Sequence, residues 1–324
     1  MSDPLPSPAP SASGPLFVVF NLGSGGGDAA SARLAIEQAC ASAGRQLHLL
    51  TVDDAQRLGD VARDAVRRAG DVRGVVVAAG GDGTLNAVAQ AVLGSGCAFG
   101  VLPQGTFNYF GRSHGIPQDT AEAMQVLLQS PAQPVQAGLV NDRVFLVNAS
   151  VGLYPRLLEE REGWKRRFGR SRLVALGAGL ATLLRGYRSL RLQLEVQGRT
   201  QQLRTPTLFV GNNALQLEQL GFPEARSVER GALAAVLLRP VGRLAMLGLI
   251  LRGAFGQLGD ADQVLNFAFV RLTAHLGWPP TRRRVLVATD GEVLRLPLPL
   301  RFRVAPEPLW LIRPPGRAPE RARA

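Results

Sequence analysis

One stretch constrains this chain more than any other: Val75-Val76-Val77-Ala78-Ala79-Gly80-Gly81-Asp82-Gly83-Thr84-Leu85-Asn86. An apolar run of strand length enters three glycines set around one aspartate and leaves into helix-forming residues. Gly80, Gly81 and Gly83 allow a tight turn and a close approach of backbone to a ligand. Thr84 is a suitable N-cap for a helix predicted over 85–93. Free N–H groups and the helix dipole at such a start attract phosphate. A carboxylate beside phosphate has a chemical use if Asp82 holds a metal ion, a water or a hydroxyl.

The same grammar recurs on either side. Ala98–Leu102 predicts a strand that runs into Pro103-Gln104-Gly105-Thr106-Phe107-Asn108 and then a helix. Leu16–Phe20 predicts a strand that runs into Asn21-Leu22-Gly23-Ser24-Gly25. Further strands are expected at Leu47–Val52 and Gly74–Ala79, and helices at Ala29–Ala43, Ala55–Ala69 and Ala121–Leu128. Strands alternating with helices imply βαβ units on a parallel sheet, which binds ligands at the carboxyl ends of its strands.

The pattern changes after Pro134. Strands are expected at Val144–Ser150, Arg191–Val196, Thr205–Val210, Leu233–Leu238, Val264–Leu272, Arg284–Thr289 and Leu300–Val304, with few connections long enough for crossover helices. That predicts a second, mainly antiparallel β domain. Two helical insertions, Leu173–Leu184 and Gly242–Gln257, interrupt it. The expected division is a disordered tail over 1–15, an α/β domain over 16–136, a β domain over 137–305, and a last segment, 306–324, that returns to the first domain before a disordered end.

The chain of 324 residues carries a formal charge of +12, and Lys165 is its one lysine. Without a GxxxxGK[ST] sequence it is no P-loop enzyme. A basic chain is drawn to polyanions, but no zinc finger, basic zipper or aromatic-laced RNA signature is present, so nucleic acid is not the expected partner. Cys40 and Cys97 make neither a disulfide framework nor a zinc site. His48, His114 and His275 show no metal-ligand spacing. The apolar run Leu244–Ile250 is too short to span a bilayer. No secretory signal is legible.

Gly80–Thr84 and Leu102–Asn108 resemble the two nucleotide loops of the diacylglycerol kinase catalytic family, which includes sphingosine, ceramide and bacterial lipid kinases. Asn21–Gly25 resembles that family's Asn-Pro-x-Ser-Gly loop, with Leu22 in place of proline. The resemblance runs from about Phe17 to about Arg313. It implies an N-terminal α/β nucleotide-binding domain like that of NAD kinase and phosphofructokinase, and a C-terminal β-sandwich. It implies ATP as phosphoryl donor, with contacts from Asn21, Gly23, Ser24, Gly25, Thr51, Gly80, Gly81, Asp82, Gly83, Thr84, Leu85, Asn86, Gly105, Thr106 and Asn108, and Mg²⁺ held through Asp82.

Late in the chain, Thr289-Asp290-Gly291-Glu292 ends a strand. On its own, Asp-Gly reads as a hairpin turn. The resemblance instead implies a catalytic pair, in which Glu292, or Asp290, accepts the proton of an attacking lipid hydroxyl. It further implies a lipid acceptor at a membrane surface and a cytoplasmic, peripheral enzyme, and it is compatible with a homodimer. Trp164–Arg170, which interleaves aromatic and basic residues, is a candidate interfacial contact. Arg112 and Arg156 are candidate sources of charge for the transferring phosphoryl group.

The chain departs from the family at two places. Tyr109 follows Asn108 where many members have aspartate. Pro223–Gly231 reads Pro-Glu-Ala-Arg-Ser-Val-Glu-Arg-Gly where bacterial members carry Pro…Asp-Gly beside a structural metal. An NAD kinase-like enzyme and a catalytically inactive nucleotide- or lipid-binding relative are the alternatives.

Overall fold

The computed structural model describes residues 9–23, 29–156, 158–159, 189–196, 198–242, 245, 248–249, 252, 257–259, 261–277 and 283–315. The chain divides into two compact units, 1–136 with 306–324, and 137–305.

The first unit is built on a six-stranded sheet. Its strands are β1 (Leu16–Asn21), β2 (Leu47–Val52), β3 (Val75–Gly80), β4 (Ala98–Pro103), β5 (Ala132–Val135) and β18 (Leu309–Ile312). The order is β2-β1-β3-β4-β18-β5, parallel from β2 through β18, with β5 antiparallel to β18. Leu16 to Phe20 and Val75 to Ala79 are fully or almost fully buried, as expected of central strands covered on both faces.

The helices are α1 (Ala29–Ser42), α2 (Leu58–Asp71), α3 (Asp82–Val92), α4 (Tyr109–Ser113) and α5 (Thr120–Gln129). Leu58, Ala62, Ala65 and Ala69 recur at helical spacing and form the buried stripe of α2. Its other face pairs Arg63 with Asp60 and Arg67 with Asp64, exposed contacts that contribute little stability. Asp119 caps α5 by accepting from Glu122 N at 3.0 Å.

Helix α3 begins three residues earlier than the sequence predicts. Gly81, in extended conformation, is its N-cap, and Asp82 is its first residue. Thr84 therefore sits inside the first turn and is not the cap. Its hydroxyl is used elsewhere, as described below.

The second unit contains β6 (Gly138–Val140), β7 (Arg143–Phe145), β8 (Asn148–Gly152), β9 (Leu190–Val196), β10 (Arg199–Thr205), β11 (Thr207–Gly211), β12 (Leu233–Leu238), β13 (Val264–Phe269), β14 (Arg271–Leu276), β15 (Arg284–Thr289), β16 (Glu292–Pro297) and β17 (Leu300–Val304), with short helices α6 (Ala214–Gln219) and α7 (Ala225–Glu229). They form two antiparallel sheets, β10-β9-β14-β17-β6-β7 and β13-β12-β11-β8-β15-β16. Leu192, Leu194, Leu272 and Phe302 of one sheet share a core with Val151, Leu208, Val210 and Val287 of the other. This is a β-sandwich.

Three strands predicted as continuous are divided. Val144–Ser150 breaks at Leu146 and Val147, Thr205–Val210 at Pro206, and Val264–Leu272 at Val270. At each break the chain leaves one sheet and joins the other. Inward side chains run through both halves, so the hydrophobic pattern continues across the corner. The expected helix Leu173–Leu184 lies outside the described residues, as does most of Gly242–Gln257. No described helix is long and apolar enough to cross a membrane.

Candidate functional site

In the first unit, the loops after β1, β3 and β4 leave the carboxyl ends of adjacent parallel strands. They are tied to one another. Asn21 Nδ2 donates to the Thr84 hydroxyl at 2.8 Å, and Asn21 Oδ1 accepts from Gly23 N at 3.0 Å, so one side chain joins the β1 loop to the first turn of α3. Gln104 N donates to Gly80 O at 2.9 Å, joining the β3 and β4 loops.

Two glycines are required by close approach. A Cβ on Gly80 would meet the Thr84 side chain at 2.5 Å, and one on Gly105 would stand 2.8 Å from Gly81 Cα. Asn108 closes the β4 loop. It is buried and left-handed (φ 48°), accepts from Gly105 N at 2.9 Å and donates to Gly105 O at 2.8 Å and Gln118 Oε1 at 2.6 Å. Its amide donors are thus committed inside the protein, and its part is to shape the loop. Thr106 and Thr51 are exposed, Leu85 and Asn86 are buried in α3, and Ser24 and Gly25 lie outside the described residues.

Asp82 stands in the first turn of α3. Burial disfavours its charged form and raises its pKa, although the backbone N–H groups of Phe110, Tyr109 and Asn108 pull the other way. Its Oδ1 is enclosed without a well-formed hydrogen bond. A buried carboxylate oxygen with spare acceptor capacity beside glycine loops suits a cation brought in with phosphates.

Phe107 is exposed after Thr106, and its ring lies parallel to that of Tyr109 with centroids 5.8 Å apart. Arg112 reaches over the Tyr109 ring. An aromatic ring with a guanidinium over it follows Asn108, at the departure from the resembled pattern noted in the sequence. His114 is half-buried at the end of α4 against Phe110, with Arg313 Nη1 3.4 Å from its Nδ1. Burial and the Arg313 charge lower its pKa to about 3, so the ring is neutral. An arginine only donates, so Nδ1 is the acceptor and Nε2 carries the proton.

In the second unit, Asp290 (φ 48°) and Gly291 (φ 91°) make the two-residue turn between β15 and β16. The hairpin expected from Asp-Gly alone is present. The Asp290 side chain does more: Oδ2 accepts from Leu146 N at 2.7 Å, and Oδ1 from Val147 N and Asn148 N at 2.9 Å each. These are the residues at which the strand predicted over 144–150 breaks. Asn212 holds the same corner by donating to Leu146 O at 2.9 Å, and Asn148 donates to Gln216 at 3.0 Å. Asn148, Asn212 and Gln216 were not legible as part of this cluster, because nothing in their spacing marks them.

Glu292 is the first residue after the turn. Its surface is exposed, yet the protein around its carboxyl raises its pKa, opposed by the charge of Arg143. Among the described residues no group of three or more His, Cys, Asp and Glu is placed to hold a metal. The stretch Pro223–Gly231 contains α7, with Arg230 Nε donating to Arg226 O.

The fold and these loops define a class: an α/β unit with glycine-rich loops at the carboxyl ends of parallel strands, into which a β-sandwich is inserted. Residues 15–140 match the model of the diacylglycerol kinase catalytic domain. Over that segment the chain is similar to the diacylglycerol kinase catalytic-domain family. Over 79 residues the chain is 44% identical to a Klebsiella pneumoniae protein described as "Probable lipid kinase YegS-like", a match covering 24% of this chain and 27% of that one. Over 206 residues it is 28% identical to a Staphylococcus aureus diacylglycerol kinase, covering 60% of this chain and 62% of that one. The matched segments thus span less than two thirds of either relative. A solved Bacillus anthracis structure described as a diacylglycerol kinase aligns with a TM-score of 0.65 over 93% of this chain and 97% of that one, at 19% identity. At that identity the likeness is one of fold.

Proposed function

We propose that this protein is a lipid kinase that transfers the γ-phosphoryl group of ATP to a hydroxyl of diacylglycerol or a related lipid. The observation that carries the reading is Asp82, whose enclosed Oδ1, without a well-formed hydrogen bond, lies in the first turn of a helix flanked by two interlocked glycine loops. Backbone N–H groups at the start of α3, with Gly81, Gly83 and Thr106, hold the phosphates. Asn21 and Asn108 keep the loops in shape. Asp82 would hold Mg²⁺ with the help of phosphate oxygens and water, the usual way that ion is bound, and the bound ion offsets phosphate charge.

Glu292 is the proposed base. Asp290 already accepts three backbone N–H groups, so its part is to set the turn from which Glu292 projects. A raised pKa suits Glu292 to taking a proton from an alcohol as the alcohol attacks phosphorus. The relatives' names support a lipid acceptor, and such an acceptor places the enzyme at the cytoplasmic face of a membrane.

The test is transfer of label from γ-labelled ATP, with Mg²⁺, to diacylglycerol, monoacylglycerol, sphingosine, ceramide and NAD. Wild type is compared with Glu292→Gln and Asp82→Asn. Label in one lipid, lost in both variants, is the expected result. Label in NAD, or ATP binding with no transfer to a total lipid extract, overturns the proposal.

A further inference from the structure

The second unit has an open cavity of ≈ 600 Å³ at the end of the β15–β16 hairpin remote from the Asp290 turn. Arg284 lies five residues up β15 from Thr289, roughly 17 Å at the usual strand rise. Four arginines line the cavity: Arg156, Arg191, Arg284 and Arg295. Leucines complete its wall, among them Leu276 and Leu286. Its described lining holds no carboxylate.

The arginines come from separate elements. On β15 and β16, Arg284 and Leu286 share a face, and Arg295 is directly opposite Leu286. Arg284 is fixed there by donating to Arg295 O at 2.8 Å. Arg191 comes from β9 of the other sheet, and Arg156 follows β8. A neighbouring cavity of ≈ 450 Å³ shares Arg191 and Gly277 and adds Arg204. Arg191 and Arg204 are direct cross-strand partners, a like-charge pairing that disfavours the sheet. Among the described residues, Arg156, Arg191, Arg204, Arg284 and Arg295 take part in no salt bridge.

These guanidinium groups border one open cavity, and among the described residues none of them meets a carboxylate. Arginine forks match phosphate oxygens, and the leucines match an apolar body attached to that phosphate. We infer that this cavity binds the phosphate headgroup of an anionic phospholipid. The site is separate from the Asp290–Glu292 turn, so the inference stands whether or not the kinase reading does.

The experiment is flotation of the full chain with phosphatidylcholine vesicles, with and without about 20% phosphatidylglycerol, an anionic fraction large enough to attract basic groups. The chain is expected to float only with the anionic vesicles. Arg191→Gln combined with Arg295→Gln should weaken that binding roughly 30-fold. Arg156→Gln alone, on a different element, should weaken it in the same direction. Arg226→Gln combined with Arg230→Gln removes equal charge from α7 and should leave binding unchanged. Equal losses in both double variants would mean diffuse attraction and would overturn the site, as would an absence of flotation. Arginine-dependent saturation by inorganic phosphate, without vesicle binding, would assign the cavity to a free phosphate and overturn the lipid.

Discussion

The side-chain amide of Asn21 donates to the hydroxyl of Thr84, 63 residues further along, at 2.8 Å. It ties the β1 loop to the first turn of α3. Each partner's removal should therefore loosen the same phosphate loop. Asn21→Ala and Thr84→Val are expected each to raise the KM for ATP about tenfold, the equivalent of one hydrogen bond. Because the two share that bond, the double variant should fall short of the product of the single effects. Steady-state kinetics over the four proteins measures the coupling, and full additivity would refute it.

Gly105 and Gly81 touch where the β3 and β4 loops meet. Gly105→Ala would place a Cβ 2.7 Å from Asn108 Oδ1 and 2.8 Å from Gly81 Cα, with only backbone and a clasped amide to yield. Overpacking of this kind costs about 1 to 3 kcal/mol. We expect a lower midpoint of urea unfolding and a larger loss of ATP affinity than for Gly70→Ala, a position in α2 with open space around it and no left-handed backbone.

Asp290 and Glu292 should separate into structure and chemistry. Asp290→Asn keeps the shape but puts an N–H₂ among three N–H donors, so a loss of about 2 to 4 kcal/mol of stability is expected by denaturant titration. Glu292→Gln, at an exposed position, should leave stability nearly unchanged and lower kcat by about 10² to 10⁴-fold. Since the Glu292 pKa is raised, the acid limb of the rate profile should lie above the ordinary glutamate value of 4.5.

His114 predicts acid sensitivity. Its folded pKa of about 3 lies below the ordinary 6.5, so the neutral ring is the folded form. Below pH 6.5 the unfolded chain takes up a proton that the folded chain refuses. Stability is whole above that value and falls as pH drops toward 3, by up to about 1.4 kcal/mol per unit. Asp82 and Glu292, with raised pKa values, contribute the opposite slope above the ordinary carboxylate values. The His114 effect is therefore read from the difference between wild type and His114→Gln as pH falls from about 6.5. Unfolding midpoints should fall more steeply with pH for wild type than for His114→Gln.

Much of the first unit was legible because its signals are local. Each central strand is an unbroken apolar run, and each loop carries its own glycines next to it. The α3 start was misplaced because Thr84 is a good cap by type, while Gly81 does the capping and Thr84 serves Asn21. In the sandwich, the hydrophobic pattern joins strands across corners. A chain that passes from one sheet to the other at Leu146, Pro206 or Val270 keeps its inward side chains apolar on both sides. Only Pro206, with no N–H to give, marks its corner in the sequence. The polar group that secures the first corner, Asp290, comes from 142 to 144 residues away, beyond the reach of any local pattern.

Strand β18 lies between β4 and β5 and is β5's sole neighbour in its sheet. During synthesis, therefore, the sheet carrying the glycine-rich loops waits with β4 open along one edge until residues 309–312 emerge. The whole inserted sandwich is made first. An exposed, apolar β4 edge in the interim is a pairing hazard. The unit made first is the last to be completed, and a chain stopped anywhere in the sandwich would carry every glycine-rich loop without a finished sheet to hold them.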